Sequence, residues 1–353
     1  MVGSSFFEVS IASIYPETIN SSRVKFSIPR ELREIFKFNS GQYVTVKFNK
    51  DETTYLRTYS ICSAINEKFL EIGVKHIENG VFSKFLKEKR SGDKIKLSPP
   101  SGNFCLKKKN PKQLLLVAAG SGITPILSIA KSILIENKTT KIILLFSNRT
   151  YLDMMFKEDL KDLKDQYLNR ISIFNFFTKE KQEVQFLDGR LNKSKIQFLN
   201  EKKIIEPNII DQIFICGPIK MTEEIKLCLS ELGFSKAKIK TELFFTKESN
   251  QKQKLRKISS TDNTIEILMD GTRKLVQMRA GEDFIDKAGK SGISIPFSCR
   301  NGMCATCRCK VKKGKVRMKK NYSLEDWEIE KGFVLSCQLE PLDKHILLDF
   351  DII

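Results

Sequence analysis

The amino-acid sequence predicts a multidomain chain: an antiparallel β-barrel, then an α/β doubly wound domain, then a smaller α+β domain. Three observations predict it. The chain has 353 residues, more than one hydrophobic core usually serves. Residues 1–108 carry short β-type runs between turn residues, whereas 109–246 alternate apolar runs with helical patterns. A polar, basic stretch, 247–263 (KESNQKQKLRKISSTDN), then reads as a charged linker, and strands resume over 264–353.

Within the first segment, spans 24–28, 43–48, 69–74 and 94–97 hold β-branched or aromatic residues between Gly, Pro, Asn and Asp. That spacing suits a small antiparallel barrel, interrupted by one helix over 81–89. The run 113–119 (QLLLVAA) opens the second segment, followed by a glycine turn and a helix to about residue 135. Further buried-type strands are expected at 141–147, 171–177 and 212–216, with helices at 152–163 and 220–232, which winds into a parallel sheet. The stretch 114–135 has the length of a membrane span. Gly120, Ser121, Gly122, Pro125 and Lys131 interrupt it, so strand, turn and helix describe it better. In the last segment, strands at 264–269 and 274–278 flank an Asp270-Gly271 hairpin turn, and a helix over 283–290 leads into a cysteine-rich loop.

Composition is that of a folded protein, with 41% hydrophobic and 29% charged residues. The net charge of +19 is uneven: residues 1–261 hold 45 Lys and Arg against 28 Asp and Glu, whereas 262–353 hold 16 against 14. No zinc finger, RNA-recognition signature or basic heptad accompanies it, which argues against a nucleic-acid partner. A solvated lysine-rich surface is favoured over a docking surface. The N-terminal MVGSSFF has no basic or long apolar leader, and the nine cysteines are an odd number. A reducing compartment, metal chemistry rather than disulfides, and a cytoplasmic protein without membrane insertion are expected.

Cys299, Cys304 and Cys307 stand in C-x4-C-x2-C spacing, and Cys337 follows after 29 intervening residues. Four thiolates hold two irons, and a compact loop plus one distant cysteine is the plant-type [2Fe–2S] pattern. Gly302, Ala305 and Thr306 let backbone N–H groups turn towards the sulfurs. A four-cysteine zinc site is the competing assignment, but such sites pair two close knuckles and Cys337 has no neighbouring cysteine. Cys309 alternates with Cys307 and is expected, like Cys62, Cys105 and Cys228, to be a packed thiol.

Four further motifs carry polar chemistry. Arg57-Thr58-Tyr59-Ser60 ends a barrel strand and offers a guanidinium fork for phosphate, a flat ring and a small hydroxyl. Gly80-Val81-Phe82-Ser83 opens a helix whose free N–H groups suit a pyrophosphate. Gly120-Ser121-Gly122-Ile123-Thr124-Pro125 joins strand to helix without the third glycine of the dinucleotide fingerprint. Cys216-Gly217-Pro218 stands at the carboxyl end of a later strand, where ligands of such sheets bind. Strand-end and helix-cap chemistry would explain any one of them alone.

Together and in this order they resemble the ferredoxin–NADP reductase superfamily over roughly residues 5–246. From about residue 264 to 353 the chain resembles a plant-type ferredoxin of β-grasp fold. The segments Asn321-Tyr322-Ser323-Leu324-Glu325 and GFVLSCQ at 332–338 are particularly similar to the reductase subunits of phenylacetyl-CoA epoxidases and their near relatives. The resemblance implies FAD at Arg57, Thr58, Tyr59, Ser60, Val74, Gly80, Val81 and Ser83, with Ser60 near the flavin N5; the G-x-x-S element favours FAD over FMN. It implies a nicotinamide cofactor at Gly120, Ser121, Gly122, Thr124, Gly217 and Pro218, with Cys216 near the nicotinamide ring. Glu242-Leu243-Phe244 resembles the family's closing element, which sets a carboxylate and an aromatic ring (Phe244) beside the flavin. Ser60, Cys216 and Glu242 are thus the expected catalytic residues. At Ser40-Gly41-Gln42-Tyr43 the chain lacks the proline that commonly precedes the glycine, which concerns turn stiffness rather than chemistry. Ser147 and Arg149 end the second strand of the sheet, where the adenosine ribose would lie. A hydroxyl and a guanidinium there suit NADPH over NADH.

Nicotinamide cofactors move electron pairs and a [2Fe–2S] centre takes single electrons, so a flavin between them serves as converter. The expected function is an NADPH-dependent reductase passing electrons through FAD and the cluster to a separate oxygenase component, a di-iron phenylacetyl-CoA epoxidase. Oxygen chemistry is left to that partner, since the only histidines are His76 and His345 and no HExxH, facial triad or Glu-x-x-His helix is present. The alternatives are a reductase of a Rieske or steroid-type oxygenase or of a freestanding ferredoxin, and a non-catalytic redox carrier or sensor. The intact glycines and Cys216 argue against the last. Arg308, Lys310, Lys312, Lys313, Lys315, Arg317, Lys319 and Lys320 leave the cysteine loop as one charged strand face, which either meets an acidic partner or is a solvated edge strand.

Overall fold

The computed structural model describes residues 6–50, 53–77, 80–106, 110–244, 263–269, 271–279, 281–293 and 295–352. By compactness Phe7–Thr53 and Tyr59–Thr246 form one unit, and Lys247–Ile353 belong to a second.

Strands β1 (Phe7–Thr18), β2 (Ser21–Ser27), β3 (Tyr43–Lys50), β4 (Thr53–Ser60), β5 (Leu70–Lys75) and β6 (Lys94–Leu97) form a sheet in the order β4-β3-β6-β1-β2-β5. A bridge from Ile61, just past β4, to Ile72 of β5 joins its two ends and closes the antiparallel barrel. Alternation sends Val9, Ile11, Val24, Phe26, Val44, Val46, Ile72 and Val74 inward, where all are buried. Helix α1 (Val81–Leu86) is shorter than the expected 81–89. Beyond Leu86 the amides of Lys87, Glu88 and Lys89 bond three residues back, a tighter winding that does not extend an α-helix.

The second layer set is β7 (Gln113–Ala119), α2 (Ile123–Glu136), β8 (Lys141–Asn148), α3 (Lys157–Gln166), β9 (Ile171–Phe177), α4 (Lys193–Glu201), β10 (Gln212–Pro218), α5 (Ile219–Glu231) and β11 (Ile239–Phe244). The strands run parallel in the order β11-β10-β7-β8-β9. One apolar cluster packs α2 and α3 on one face, and another packs α4 and α5 on the other, which is the doubly wound arrangement. Strand order reverses between β7 and β10, so their carboxyl ends flank the crevice.

The helix expected over 152–163 begins only at Lys157. Phe156, fully buried, takes the left-handed conformation at φ 59°. Glu17 on β1 accepts its N–H at 2.7 Å, and the Arg23 guanidinium of β2 lies 4.5 Å over its ring. Arg23 also pairs with Glu17, Asp159 and Glu71, while Lys131 on α2 pairs with Asp159 at 2.7 Å and Glu67 at 3.3 Å. A mostly buried ionic joint therefore holds barrel strands to α2 and α3, and it overrides the local helical pattern. At the same joint, a Cβ on Gly73 of β5 would lie 2.8 Å from both Phe156 and Thr124.

The second unit contains β12 (Asn263–Met269), β13 (Thr272–Met278), α6 (Phe284–Lys290), β14 (Arg308–Lys313), β15 (Val316–Met318), α7 (Asp326–Glu330), β16 (Phe333–Leu335), β17 (Leu339–Pro341) and β18 (His345–Asp349). The main sheet has the order β13-β12-β18-β14-β16, with β12 and β18 parallel at its centre. Phe284, Ile285 and Ala288 of α6 share one core with Ile265, Ile267, Val276 and Leu348, a β-grasp arrangement. Residues 247–262 of the expected linker lie outside the described residues, as does Asp270 of the expected turn; Asn263 is already the first residue of β12. The edge-strand reading of 308–320 is corrected for β14, which lies between β18 and β16; among the described residues β15 pairs with β17 alone, in a two-stranded sheet, and keeps one free edge. Among the described residues no helix is long and apolar enough to cross a membrane.

Candidate active site and cluster loop

Parallel, in-register pairing of β10 with β11 sets Cys216 beside Glu242. Ser60, at the end of β4, donates its hydroxyl to Glu242 Oε2 at 3.2 Å, and the Cys216 thiol lies 4.0 Å from the same oxygen. Three residues from three distant parts of the sequence thus meet at the crevice. Burial pushes the Glu242 carboxyl up to about 7, against the lowering effect of the Ser60 hydrogen bond. Burial, and then the Glu242 charge, holds the Cys216 thiol well above its ordinary range, so it stays neutral.

The other barrel residues line up behind Ser60. Arg57, Thr58 and Tyr59 precede it on β4, and Val74 is buried near the end of β5. The Tyr59 ring packs 5.0 Å from Phe82 of α1, which draws β4 to the start of that helix. Gly80 caps α1, and a Cβ there would lie 2.6 Å from Ser83 Oγ and 2.8 Å from Ile77. Ser83 donates its hydroxyl to Gly80 O at 3.0 Å and so shapes the turn, while Val81 is half-buried. Arg57 donates to Leu56 O at 2.8 Å and stacks near Tyr55.

The glycine turn has its own reasons. Gly120 sits at φ 53°, where a side chain is strained. A Cβ on Gly122 would collide with the Cys216 carbonyl, so only glycine lets this turn press on the Cys216-Gly217 backbone. Ser121 is half-buried, and Thr124 is buried with its hydroxyl donated to Ser121 O at 3.0 Å, which fits it for holding the turn. Gly217 meets Met221 and Ala119, and Pro218 caps α5. Phe244 ends β11 and packs on the α2-side core. Ser147 is buried at the end of β8, with Arg149 exposed just beyond.

Two residues were given no role from the sequence: Lys75, and Asn148, the middle of Ser147-Asn148-Arg149. Lys75 ends β5, and its Nζ lies 3.6 Å from where a Gly120 Cβ would stand, so a cation faces the turn. Asn148 is 6% exposed, and neither amide atom has a hydrogen-bond partner among the described residues. Orphaned amide atoms at the carboxyl end of β8, a cation at the glycine turn and positions that exclude a Cβ all fit a bound dinucleotide.

In the second unit, three cysteines come from one loop and Cys337 from the short helical turn after β16. The thiols stand in mutual reach as Cys299 with Cys304, Cys299 with Cys337, and Cys307 with Cys337. Among the described residues no three His, Cys, Asp or Glu side chains form a single-ion shell. A two-iron cluster asks instead for two pairs of thiolates, one on each iron. The Asn301 and Met303 N–H groups donate to Cys299 Sγ at 3.4 and 3.3 Å, and Gln338 Nε2 lies 3.5 Å from Cys337 Sγ. Those donors stabilise added negative charge on the sulfurs. Gly302, at φ 75°, packs so close to the Lys320 carbonyl that a Cβ would come within 2.7 Å. Cys309, Cys62 and Cys228 are buried as expected, whereas Cys105 is only half-buried.

The family models for an oxidoreductase FAD-binding domain, an oxidoreductase NAD-binding domain and a 2Fe-2S iron-sulfur cluster binding domain match residues 10–106, 116–226 and 267–342. One component of the 1,2-phenylacetyl-CoA epoxidase of Escherichia coli is 35% identical over 98% of both chains. The ferredoxin reductase component of the 3-ketosteroid-9-alpha-monooxygenase of Rhodococcus rhodochrous is 27% identical over 99% of this chain and 98% of its own. Phthalate dioxygenase reductase shares the fold over 98% of both chains, with a TM-score of 0.64 at 21% identity. A ferredoxin NADP+ reductase from Neisseria gonorrhoeae, with bound FAD and NADP, covers 68% of this chain and 99% of its own, at TM-score 0.59 and 22% identity. The chain is an oxidoreductase whose cofactors are FAD, a nicotinamide nucleotide and a [2Fe–2S] cluster, and electrons pass among them in the order NAD(P)H, FAD, cluster. It belongs to the family of flavin- and nicotinamide-dependent reductases with a C-terminal [2Fe–2S] domain that includes this component of the Escherichia coli epoxidase.

Proposed function

We propose that the chain is the NADPH-dependent reductase of a separate oxygenase component, a di-iron phenylacetyl-CoA epoxidase, and that it works in the cytoplasm. The observation that carries the reductase chemistry is the meeting of Ser60, Cys216 and Glu242 at the crevice. The acceptor rests on similarity to a component of such an epoxidase along the whole chain. FAD, when bound at these residues, would supply the conversion between hydride and single-electron chemistry. Ser60 supplies a hydroxyl for the reacting edge of the flavin. Glu242, with a pKa near neutrality, gives and takes a proton through Ser60. Cys216, kept neutral, provides a soft, uncharged wall for the nicotinamide. Arg57 and the α1 turn hold the flavin phosphates, and Gly120, Gly122 and Lys75 hold those of the nicotinamide nucleotide. Cys299, Cys304, Cys307 and Cys337 ligate the irons.

NADPH is favoured over NADH because exposed Arg149 is joined to Lys179, whose N–H donates to Arg149 O at 2.8 Å. Two cations at the end of β8 and beyond β9 suit a 2′-phosphate. Anaerobic addition of NADPH should bleach the flavin and then reduce the cluster. Cys304→Ser should abolish the cluster signal and leave flavin reduction intact. Arg149→Ala should raise KM for NADPH about tenfold and leave KM for NADH unmoved. Steady-state turnover with purified epoxidase components tests the acceptor; if cluster electrons reach a Rieske oxygenase but not the epoxidase, the assignment fails.

A further inference from the structure

The charged run that leaves the cluster loop does not act as one face. Arg308 pairs with Glu328, Arg317 with Glu340, and Lys312 lies 3.9 Å from Asp349. Lys310 lies over the Phe333 ring. Arg300, on the loop itself, pairs with Asp286 at 2.6 Å. That leaves two groups of exposed lysines, Lys313 with Lys315 and Lys319 with Lys320, none of which has an ion pair among the described residues.

The two groups stand at opposite ends of the β14–β15 segment, whose two strands belong to different sheets. β14 begins next to Cys307 and runs away from the loop for six residues, about 17 Å, to Lys313. β15 then returns, and the chain meets the loop again at Lys319 and Lys320. The Lys319 N–H donates to Gln338 O at 2.8 Å, beside Cys337. The Lys320 carbonyl abuts Gly302, and the Tyr322 N–H donates to Gly302 O at 2.9 Å. The side chains of Lys319 and Lys320 are exposed, and Tyr322 is 37% exposed. Tunnelling demands that an acceptor approach the cluster loop closely, so a protein partner must cover this surface.

We propose that the electron acceptor docks on the patch formed by Lys319, Lys320 and Tyr322, and that it presents an acidic protein surface there. The proposal rests on the NADPH–FAD–cluster reading above and narrows it to one exit. Lys313 and Lys315, at the turn between β14 and β15, contribute only to the long-range field. In the exit step one electron leaves the reduced cluster and reduces one ferric centre of the acceptor. Each NADPH therefore reduces two such centres and yields NADP+ and one proton.

The test uses the holoprotein and two haem proteins of opposite charge, acidic cytochrome b5 and basic cytochrome c, at low ionic strength. Flavin bleaching and cluster reduction by NADPH are followed separately in every protein. K319E/K320E should slow cytochrome b5 reduction about tenfold and speed cytochrome c reduction. K313E/K315E should change either rate less than about twofold, and about 0.5 M salt should erase the differences. Cys304→Ser, measured alongside, subtracts any electron leaving from the flavin. Equal effects of the two double variants, or no effect of K319E/K320E on either cytochrome while the cluster is still reduced, would overturn the docking patch alone. A flavin or cluster that NADPH does not reduce in the unmodified protein would overturn the underlying reading and the patch with it.

Discussion

Glu242 is a half-buried residue whose carboxyl is touched by one hydroxyl and one thiol and is raised to about 7. Because its folded pKa exceeds the unfolded value of about 4.3, the folded chain holds a proton that the unfolded chain releases between those values. Its contribution to stability is present below the unfolded pKa and lost as pH rises through about 7. Glu242→Gln should therefore flatten the fall in thermal midpoint between about pH 4.3 and about pH 7. In the same variant, flavin reduction by NADPH should slow about 100-fold and lose its inflection near neutral pH. An unchanged pH–rate profile would remove Glu242 from proton handling. Gly122→Ala forces a methyl group into the Cys216 carbonyl, so it should cost about 1–3 kcal/mol and weaken nucleotide binding; denaturant melts and NADPH titration check both. The sequence names Cys216 and Glu242 separately, through motifs, yet their pairing depends on the β10–β11 register, which no local pattern encodes. Lys75 was illegible for a related reason, since a strand-end lysine becomes notable only when the fold brings Gly120 to it; Asn148 stood in the sequence only as the middle of Ser147-Asn148-Arg149, and its amide becomes notable because it has no hydrogen-bond partner among the described residues.

The elements that local patterns describe well are the buried parallel strands. The expected 113–119 coincides with β7, since a continuous apolar run leaves little latitude, and 171–177 coincides with β9 although that edge strand is only partly buried. The start of α3 was not legible, because Phe156 answers to Glu17 and Arg23, more than 130 residues earlier in the sequence. β1 and α4 were missed as well, being half-polar elements whose burial is decided by neighbours in the fold. The ionic joint at α3 makes a testable claim. Burial raises the Asp159 carboxyl, but the Arg23 hydrogen bond and the nearby Lys131 charge outweigh it and hold it below its ordinary value. Its stabilisation is thus present at neutral pH and lost as pH falls through the depressed pKa. Asp159→Asn takes one carboxylate from Arg23 and Lys131, which keep Glu17, Glu71 and Glu67, so it should destabilise by about 1–3 kcal/mol at pH 7, and by less in acid. Urea melts at two pH values separate this from an exposed pair, which would show almost no effect.

At the scale of the molecule, cysteine spacing disclosed the cluster, whereas the flavin and the nicotinamide nucleotide were implied by the resemblance that four short motifs carry in order. The fourth sulfur stands apart. Cys337 reaches its three companions across β14, the β15 ribbon and α7, and the described direct bonds from the turn around it to the cluster loop and its flank are few: Gln338 to the Arg300 carbonyl at 2.9 Å and Lys319 to the Gln338 carbonyl at 2.8 Å. Iron would therefore act as a rivet through a fold that hydrogen bonds only tack down. Oxidative damage that strips the metal should register as a lesion of architecture before it registers as lost current. Limited digestion of demetallated protein should open the chain first between residues 308 and 338, while the yellow half stays whole.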